Sequence, residues 1–180
     1  MNIRIAAAAA LALVTLVISG CSGAPDDPRA AIEEKAATID DAAQDVLTAL
    51  TTAGLAEASA TGRLEQCGGS LTGWGAEYHA GASAKVGESM QAAVDQVTAE
   101  LKSLGWDHVG DLGGDFPTAR LERGDVTIDL STGGFTVGAT RYHEDDLSVS
   151  IWPFSACVKL PEGKTVSDYA EFERSIPPRD

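Results

Sequence analysis

Basic side chains are scarce in this chain of 180 residues, which has 13 Lys and Arg against 27 Asp and Glu and a formal net charge of −14. So acidic a protein repels the phosphates of nucleic acids and anionic lipid headgroups. The composition therefore excludes nucleic-acid binding, and it excludes attraction to a membrane surface by charge alone. The simplest interpretation of the acidic excess is that it keeps the protein soluble.

Catalytic and metal-binding signatures are also lacking. Ser70 lies in GGSLTG, where Thr72 stands in place of the second glycine of a G-x-S-x-G elbow, and no S-x-x-K occurs. The three histidines, His79, His108 and His143, show no i, i+4 spacing, and no cysteine belongs to a CxxC pair. The Gly-rich segment DHVGDLGGD lacks the alternating oxygen ligands of an EF-hand. We therefore expect no catalytic residue, no metal site and no cofactor.

The chain has one long apolar run, from Ile5 to Ile18, which follows Arg4. Its length of about fourteen residues falls short of the roughly twenty that a membrane-spanning helix needs. A basic residue before the run and Ser19-Gly20 after it are typical of a secretory signal with its cleavage site. The sequence therefore predicts a signal peptide over residues 1–20 and export of the remainder.

The residues around the predicted cleavage site, Ile18-Ser19-Gly20-Cys21, resemble the bacterial lipobox at every position. The resemblance implies that the Cys21 sulfur receives diacylglycerol and that Cys21 becomes the first residue of the mature protein. Two acyl chains are enough for stable anchoring. We therefore expect a lipid-anchored protein on the extracytoplasmic side of the cell membrane. An ordinary signal peptide, in which Cys21 is incidental, is the alternative.

Lipidation of Cys21 would leave Cys67 and Cys157 as an even pair in an oxidising compartment. The sequence therefore predicts a disulfide between them. The bond would join the first predicted hairpin to the last predicted strand and close a loop of about ninety residues.

Two amphipathic helices are predicted. The first begins at Asp27-Pro28 as N-cap and first helical residue, carries an apolar stripe from Ile32 to Leu50, and ends near Gly54. Its spacing also suits a coiled-coil partner, although alanine at half of the seam positions favours packing on its own domain. The second helix is predicted to take Ser83 as its N-cap and to end at Gly105.

The remaining patterns indicate β-strands. Residues 59–67 and 74–82 predict a hairpin, and a meander starts near Thr118, turns at Arg123-Gly124 and continues through GFTVGATRY and LSVSIWPF. The predicted fold class is α+β, an antiparallel sheet of hairpin and meander covered by two helices. The expected organisation is a signal peptide (1–20), lipidated cysteine and spacer (21–27), a single domain (28–161) and a tail with a short helix (162–180).

Several short segments carry a family resemblance. The lipobox, RLEQC in the first hairpin, LKSLGW at the end of the second helix and SAC before Val-Lys-Leu-Pro resemble small actinobacterial lipoproteins, broadly LppA-like, over about Leu55 to Pro161. The resemblance is one of layout. It implies an envelope location and no reaction, so no catalytic residue is carried over.

The aromatic side chains of the meander suggest a binding face. Alternation in LSVSIWPF sends its aliphatic side chains to one face of the sheet and Trp152 and Phe154 to the other, which Tyr142 of the preceding strand joins. The alternative is that the first helix covers this second face. We expect part of it to contact an envelope protein or an apolar ligand, as in a non-enzymatic binding module. A lipid or small-molecule carrier with a cavity between helix and sheet is the alternative function.

Overall fold

The computed structural model describes residues 27–69, 73–87, 89–132, 136–137, 140–141, 145–154 and 157–179. Cys21 and Tyr142 lie outside these ranges. Within them, no helix combines the length and the apolar character needed to cross a bilayer.

The described residues form two α-helices, one 3₁₀ segment and ten strands. The helices are α1 (Arg29–Thr52) and α2 (Met90–Ser103), and the 3₁₀ segment is Val166–Phe172. The first five strands are β1 (Ala56–Gly69), β2 (Gly73–Lys85), β3 (Asp107–Gly110), β4 (Ala119–Arg123) and β5 (Val126–Thr132). The others are β6 (Thr136–Val137), β7 (Thr140–Arg141), β8 (Asp146–Pro153), β9 (Val158–Lys159) and β10 (Arg174–Ile176).

An eight-stranded antiparallel sheet organises the domain. Its order is β10, β1, β2, β8, β5, β4, β3, and β9 pairs with the start of β2 beyond the end of β8. A separate hairpin is formed by β6 and β7. The predicted α+β class, with helices packed on an antiparallel sheet, is confirmed.

The first helix packs as its apolar spacing predicts. Ile32, Ile39 and Leu50 are all fully buried, and Gly54 follows the last turn with φ +78°, a conformation that glycine adopts at little cost. Pro28 is the N-cap instead of the first helical residue, and Asp27 Oδ1 accepts a hydrogen bond from the Arg29 N–H at 3.0 Å. The long apolar stripe thus predicted both the helix and its inner side.

Both helices cover the same face of the sheet. The aliphatic side chains of β4, β5 and β8 on that face join those of α1 and α2 in one core. Alanines of β2 let α1 approach this face closely, since Ala80, Ala82 and Ala84 are buried in the same core. Trp152 lies on the opposite face, so α1 does not cover it.

A tyrosine and a glycine fix the contact between α1 and β1. The Tyr78 ring lies over Gly62, where a Cβ atom would come within 1.7 Å of the tyrosine oxygen. Tyr78 Oη donates to Asp40 Oδ1 at 2.9 Å, and Arg174 of β10 binds the other oxygen of that carboxylate at 2.6 Å. Burial, followed by the bond to Asp40, raises the pKa of Tyr78 above its ordinary value. The C-terminal segment is thereby tied to α1.

Two sequence predictions about element boundaries are wrong. Ser83 is not the N-cap of α2, because the alternating small residues around it extend β2 to Lys85. The cap is Ser89, whose Oγ accepts from the Ala92 N–H at 3.5 Å. GFTVGATRY is not one strand of the main sheet. Val137 pairs with Thr140, which leaves two residues between β6 and β7 and folds the segment back on itself.

Three short strands have no prediction in the sequence. They are β3, β9 and β10, and each lasts four residues or fewer, too short to show an alternating pattern. The tail, predicted to carry a short helix, forms the 3₁₀ segment Val166–Phe172, and Ile176 beyond it lies in β10 and pairs with Ala60. The tail therefore forms an edge of the sheet.

Candidate functional site

The predicted disulfide between Cys67 and Cys157 is confirmed, with Cα atoms 5.9 Å apart. It joins β1 to the residue before β9, the two neighbours of β2 at that level, and so crosses β2 at Gly75. A Cβ atom at Gly75 would lie 2.4 Å from Cys157 Sγ and 3.2 Å from Cys67 Sγ. The absence of a side chain at this position is what leaves room for the bond.

Trp152 is half-buried, and its polar group is occupied. Its Nε1–H donates to Asp129 Oδ2 at 3.3 Å, and Arg120 binds both oxygens of the same carboxylate at 2.7 and 2.8 Å. The guanidinium also stacks over the indole, 5.5 Å from its centroid, and the bonds to Asp129 raise the pKa of Arg120. These three side chains satisfy one another's polar groups, so their arrangement does not require a ligand.

Phe154 lies in a different environment from Trp152. It is 69 % exposed and, with Ile39 and Lys35 of α1 and the β4–β5 turn, lines a shallow pocket of about 400 Å³. Tyr142, the third residue of the predicted binding face, is outside the described residues. The binding role predicted for the three aromatic residues stays a prediction.

A larger surface cleft lies between α2 and the segment that joins α2 to β4. We call it the α2 cleft, and it measures about 600 Å³. Its lining residues are Gln91, Val94, Asp95, Thr98, His108, Asp111, Gly113, Gly114, Asp115, Phe116, Pro117, Thr118 and Ala119.

The local sequence explains how the cleft forms. Gly105 ends α2 with φ +88°, and the buried Trp106 directs the chain into β3 at the edge of the sheet. Gly113 and Gly114, both with positive φ, then turn the chain back, and the Leu112 N–H donates to Thr118 Oγ1 at 3.0 Å. The segment therefore stands away from α2 and leaves a space between them.

The cleft is acidic and partly apolar. Three carboxylates, those of Asp95, Asp111 and Asp115, line it, and none of its described lining residues is Lys or Arg. Phe116 is 70 % exposed, and Thr98 Oγ1 is buried and has no hydrogen-bond partner within the described part of the chain. Such a surface is complementary to a ligand that combines positive charge with an apolar group.

The edge strand β3 lies next to this surface and supplies His108 to its lining. Among the described residues, β3 pairs on one side only, with β4, and both Val109 of β3 and Leu112 just past its end are exposed. An unpaired edge presents N–H and C=O groups to which an extended peptide can add as a further strand.

Only part of the α2 cleft could be predicted from the sequence. The acidic, Gly-rich segment was visible, but its spacing excluded calcium, and within the described residues no three His, Cys, Asp or Glu side chains are placed to hold a metal ion. Exposure of Phe116 depends on the position of α2, which spacing alone does not give.

Comparison of the chain with protein-family models, with curated proteins and with solved structures gives no match. The case for a function therefore depends on the chain's own chemistry and geometry.

Proposed function

We propose that this protein is a lipid-anchored binding module of the cell envelope, held outside the cytoplasmic membrane by diacylglycerol on Cys21, whose α2 cleft takes a basic peptide segment of a partner protein. The observation that carries the binding role is the α2 cleft itself, with three carboxylates and an exposed phenylalanine beside the edge strand β3.

Export is supported by two independent features. The apolar run and lipobox-like residues precede the domain, and a disulfide crosses its sheet. Disulfides persist in oxidising compartments and are rare in the reducing cytosol of most cells.

A binding module fits the described core better than a carrier does. The side chains between α1 and the sheet include Val46, Ile128 and Ile151, each fully buried. A carrier would need a cavity in that layer, whereas the α2 cleft opens at the surface.

The proposal predicts that the mature domain binds a short extended peptide of alternating Lys and Leu through Phe116. Because aromatic residues at the centre of an interface commonly contribute more than 1 kcal/mol, Phe116→Ala should weaken binding by about tenfold. Asp111→Asn with Asp115→Asn should weaken binding mainly at low salt, since exposed charges are screened. Isothermal titration calorimetry at two salt concentrations measures both effects.

Phe154→Ala is the matched control, because Phe154 is equally exposed but lies outside the cleft. It should bind the peptide as the wild-type domain does. Equal affinities for the wild-type, Phe116→Ala and carboxylate variants would refute the proposed role of the cleft.

A further inference from the structure

Two aromatic side chains are exposed at one end of the sheet. Trp74, near the start of β2, is 52 % exposed, and Phe154 follows the last residue of β8. The last pair between β2 and β8 is Ala80 with Ile151, and β9 pairs with β2 next to Trp74. Both aromatic residues therefore lie toward the same end of the sheet, Trp74 inside β2 and Phe154 just past β8, and we call this the Trp74 end.

The first helix begins at the Trp74 end. Ile39, in its first half, shares a pocket with Phe154. Leu55, just past the end of α1, lines a pocket with Val86, which follows the opposite end of β2. A helix of 24 residues is about 36 Å long, so α1 spans most of the distance between the two ends.

The α2 cleft lies at the opposite end. Ser89, the N-cap of α2, lies in the same pocket as Leu55, and the first half of α2 lines the cleft. Phe116 and Phe154 are thus equally exposed phenylalanines at opposite ends of the domain, 70 % and 69 %.

We infer that the Trp74 end contacts the headgroup region of the bilayer, with Trp74 and Phe154 at the interface and the α2 cleft directed away from it. This inference rests on the proposed lipid anchor. Cys21 precedes Arg29, the first residue of α1, by eight positions, so the tether spans at most about 30 Å. The Trp74 end reaches the bilayer with the least extension of that tether.

The chemistry of the Trp74 end suits an interface. Tryptophan is enriched where a bilayer meets water, because its ring is apolar and its N–H is polar. Lys35 lines the same pocket as Phe154, and the Lys159 side chain lies next to Gly73, the neighbour of Trp74. Lysine at such positions can keep its ammonium group near lipid phosphates while its stem covers apolar surface. Asp125 lines the same pocket as Phe154, so acidic side chains disfavour a wider contact than these few residues make.

The test uses the full lipidated chain in phosphatidylcholine vesicles that contain brominated phosphatidylcholine, which quenches tryptophan emission on contact. Two variants are compared, Trp74→Phe with Phe154→Trp and Trp74→Phe with Phe116→Trp. Both retain Trp106 and Trp152, so the difference between them reports the introduced tryptophan. We expect brominated lipid to cause a loss of emission for tryptophan at position 154 and none for tryptophan at position 116. Wild-type emission should also fall more than that of Trp74→Phe alone.

Sedimentation with the vesicles separates the two ideas. Protein that sediments but shows the same emission in brominated and ordinary lipid would overturn the contact and leave the anchor standing. Stronger quenching at position 116 than at position 154 would overturn the inferred orientation. Protein that stays in the supernatant would overturn the anchor, and with it this inference.

Discussion

Replacing both Cys67 and Cys157 by alanine is expected to lower the free energy of unfolding by about 4–5 kcal/mol, the chain-entropy value for a loop of this length. The two cysteines are 90 positions apart, and the bond holds β1 and β9 together across β2. The free energy of unfolding of a single domain is roughly 5–15 kcal/mol, so this loss would remove a large part of the total stability. Guanidinium unfolding of the mature domain followed by circular dichroism measures the change.

The wild-type domain unfolded in the presence of a reductant is the control for the substitution itself. It should match the double-alanine variant, since both lack the crosslink. A loss below about 1 kcal/mol in either experiment would show that the crosslink does not constrain the unfolded chain as the loop-entropy account requires.

Asp45→Ala is expected to lower the free energy of unfolding by about 2–3 kcal/mol. This loss is smaller than the loss from breaking a fully buried ion pair, because the arginine partners of Asp45 are partly exposed. Asp45 is almost fully buried and accepts from the Trp106 Nε1–H at 3.2 Å. It also binds Arg123 at 2.7 Å and pairs with Arg179. Removing the carboxylate leaves a buried indole N–H without its acceptor and two guanidinium groups without their shared partner. Urea unfolding with a fitted slope separates stability from changes in compactness.

Asp41→Ala is the matched control for Asp45→Ala. Asp41 pairs with the same two arginines, but its side chain is 60 % exposed against 4 % for Asp45. Exposed ion pairs contribute about 0–1 kcal/mol to stability, so the free energy of unfolding of Asp41→Ala should be close to that of the wild type. Equal losses of unfolding free energy in the two variants would show that the burial of Asp45 does not determine how much its ion pairs contribute to stability.

Long periodic elements of the fold could be predicted from the sequence, and short ones could not. The stripe from Ile32 to Leu50 predicted α1, and the alternation of β5 and β8 predicted the centre of the sheet. The strands β3, β9 and β10 are held by neighbours that are distant in sequence, which local patterns do not encode. The small residues around Ser83 fit either a helix start or a strand, and pairing with β1 and β8 decides for the strand.

The same division applies to the sites. Cysteine count and the expectation of an oxidising compartment predicted the bond between Cys67 and Cys157, because assigning Cys21 to lipidation left only one pairing. Strand alternation placed Trp152 on the face opposite the core. It did not show that Arg120 stacks over the indole ring or that Asp129 accepts a hydrogen bond from the indole N–H. The α2 cleft needs the position of a helix against an edge strand, which is a tertiary property.

The mass and partitioning of the mature protein from cells test the central claim most directly. The account predicts that the wild-type chain starts at Cys21, carries the mass of diacylglycerol on that residue and enters the detergent phase. It also predicts that Cys21→Ser appears in the aqueous phase. Wild-type protein in the aqueous phase with a free thiol at Cys21 would contradict the lipid anchor.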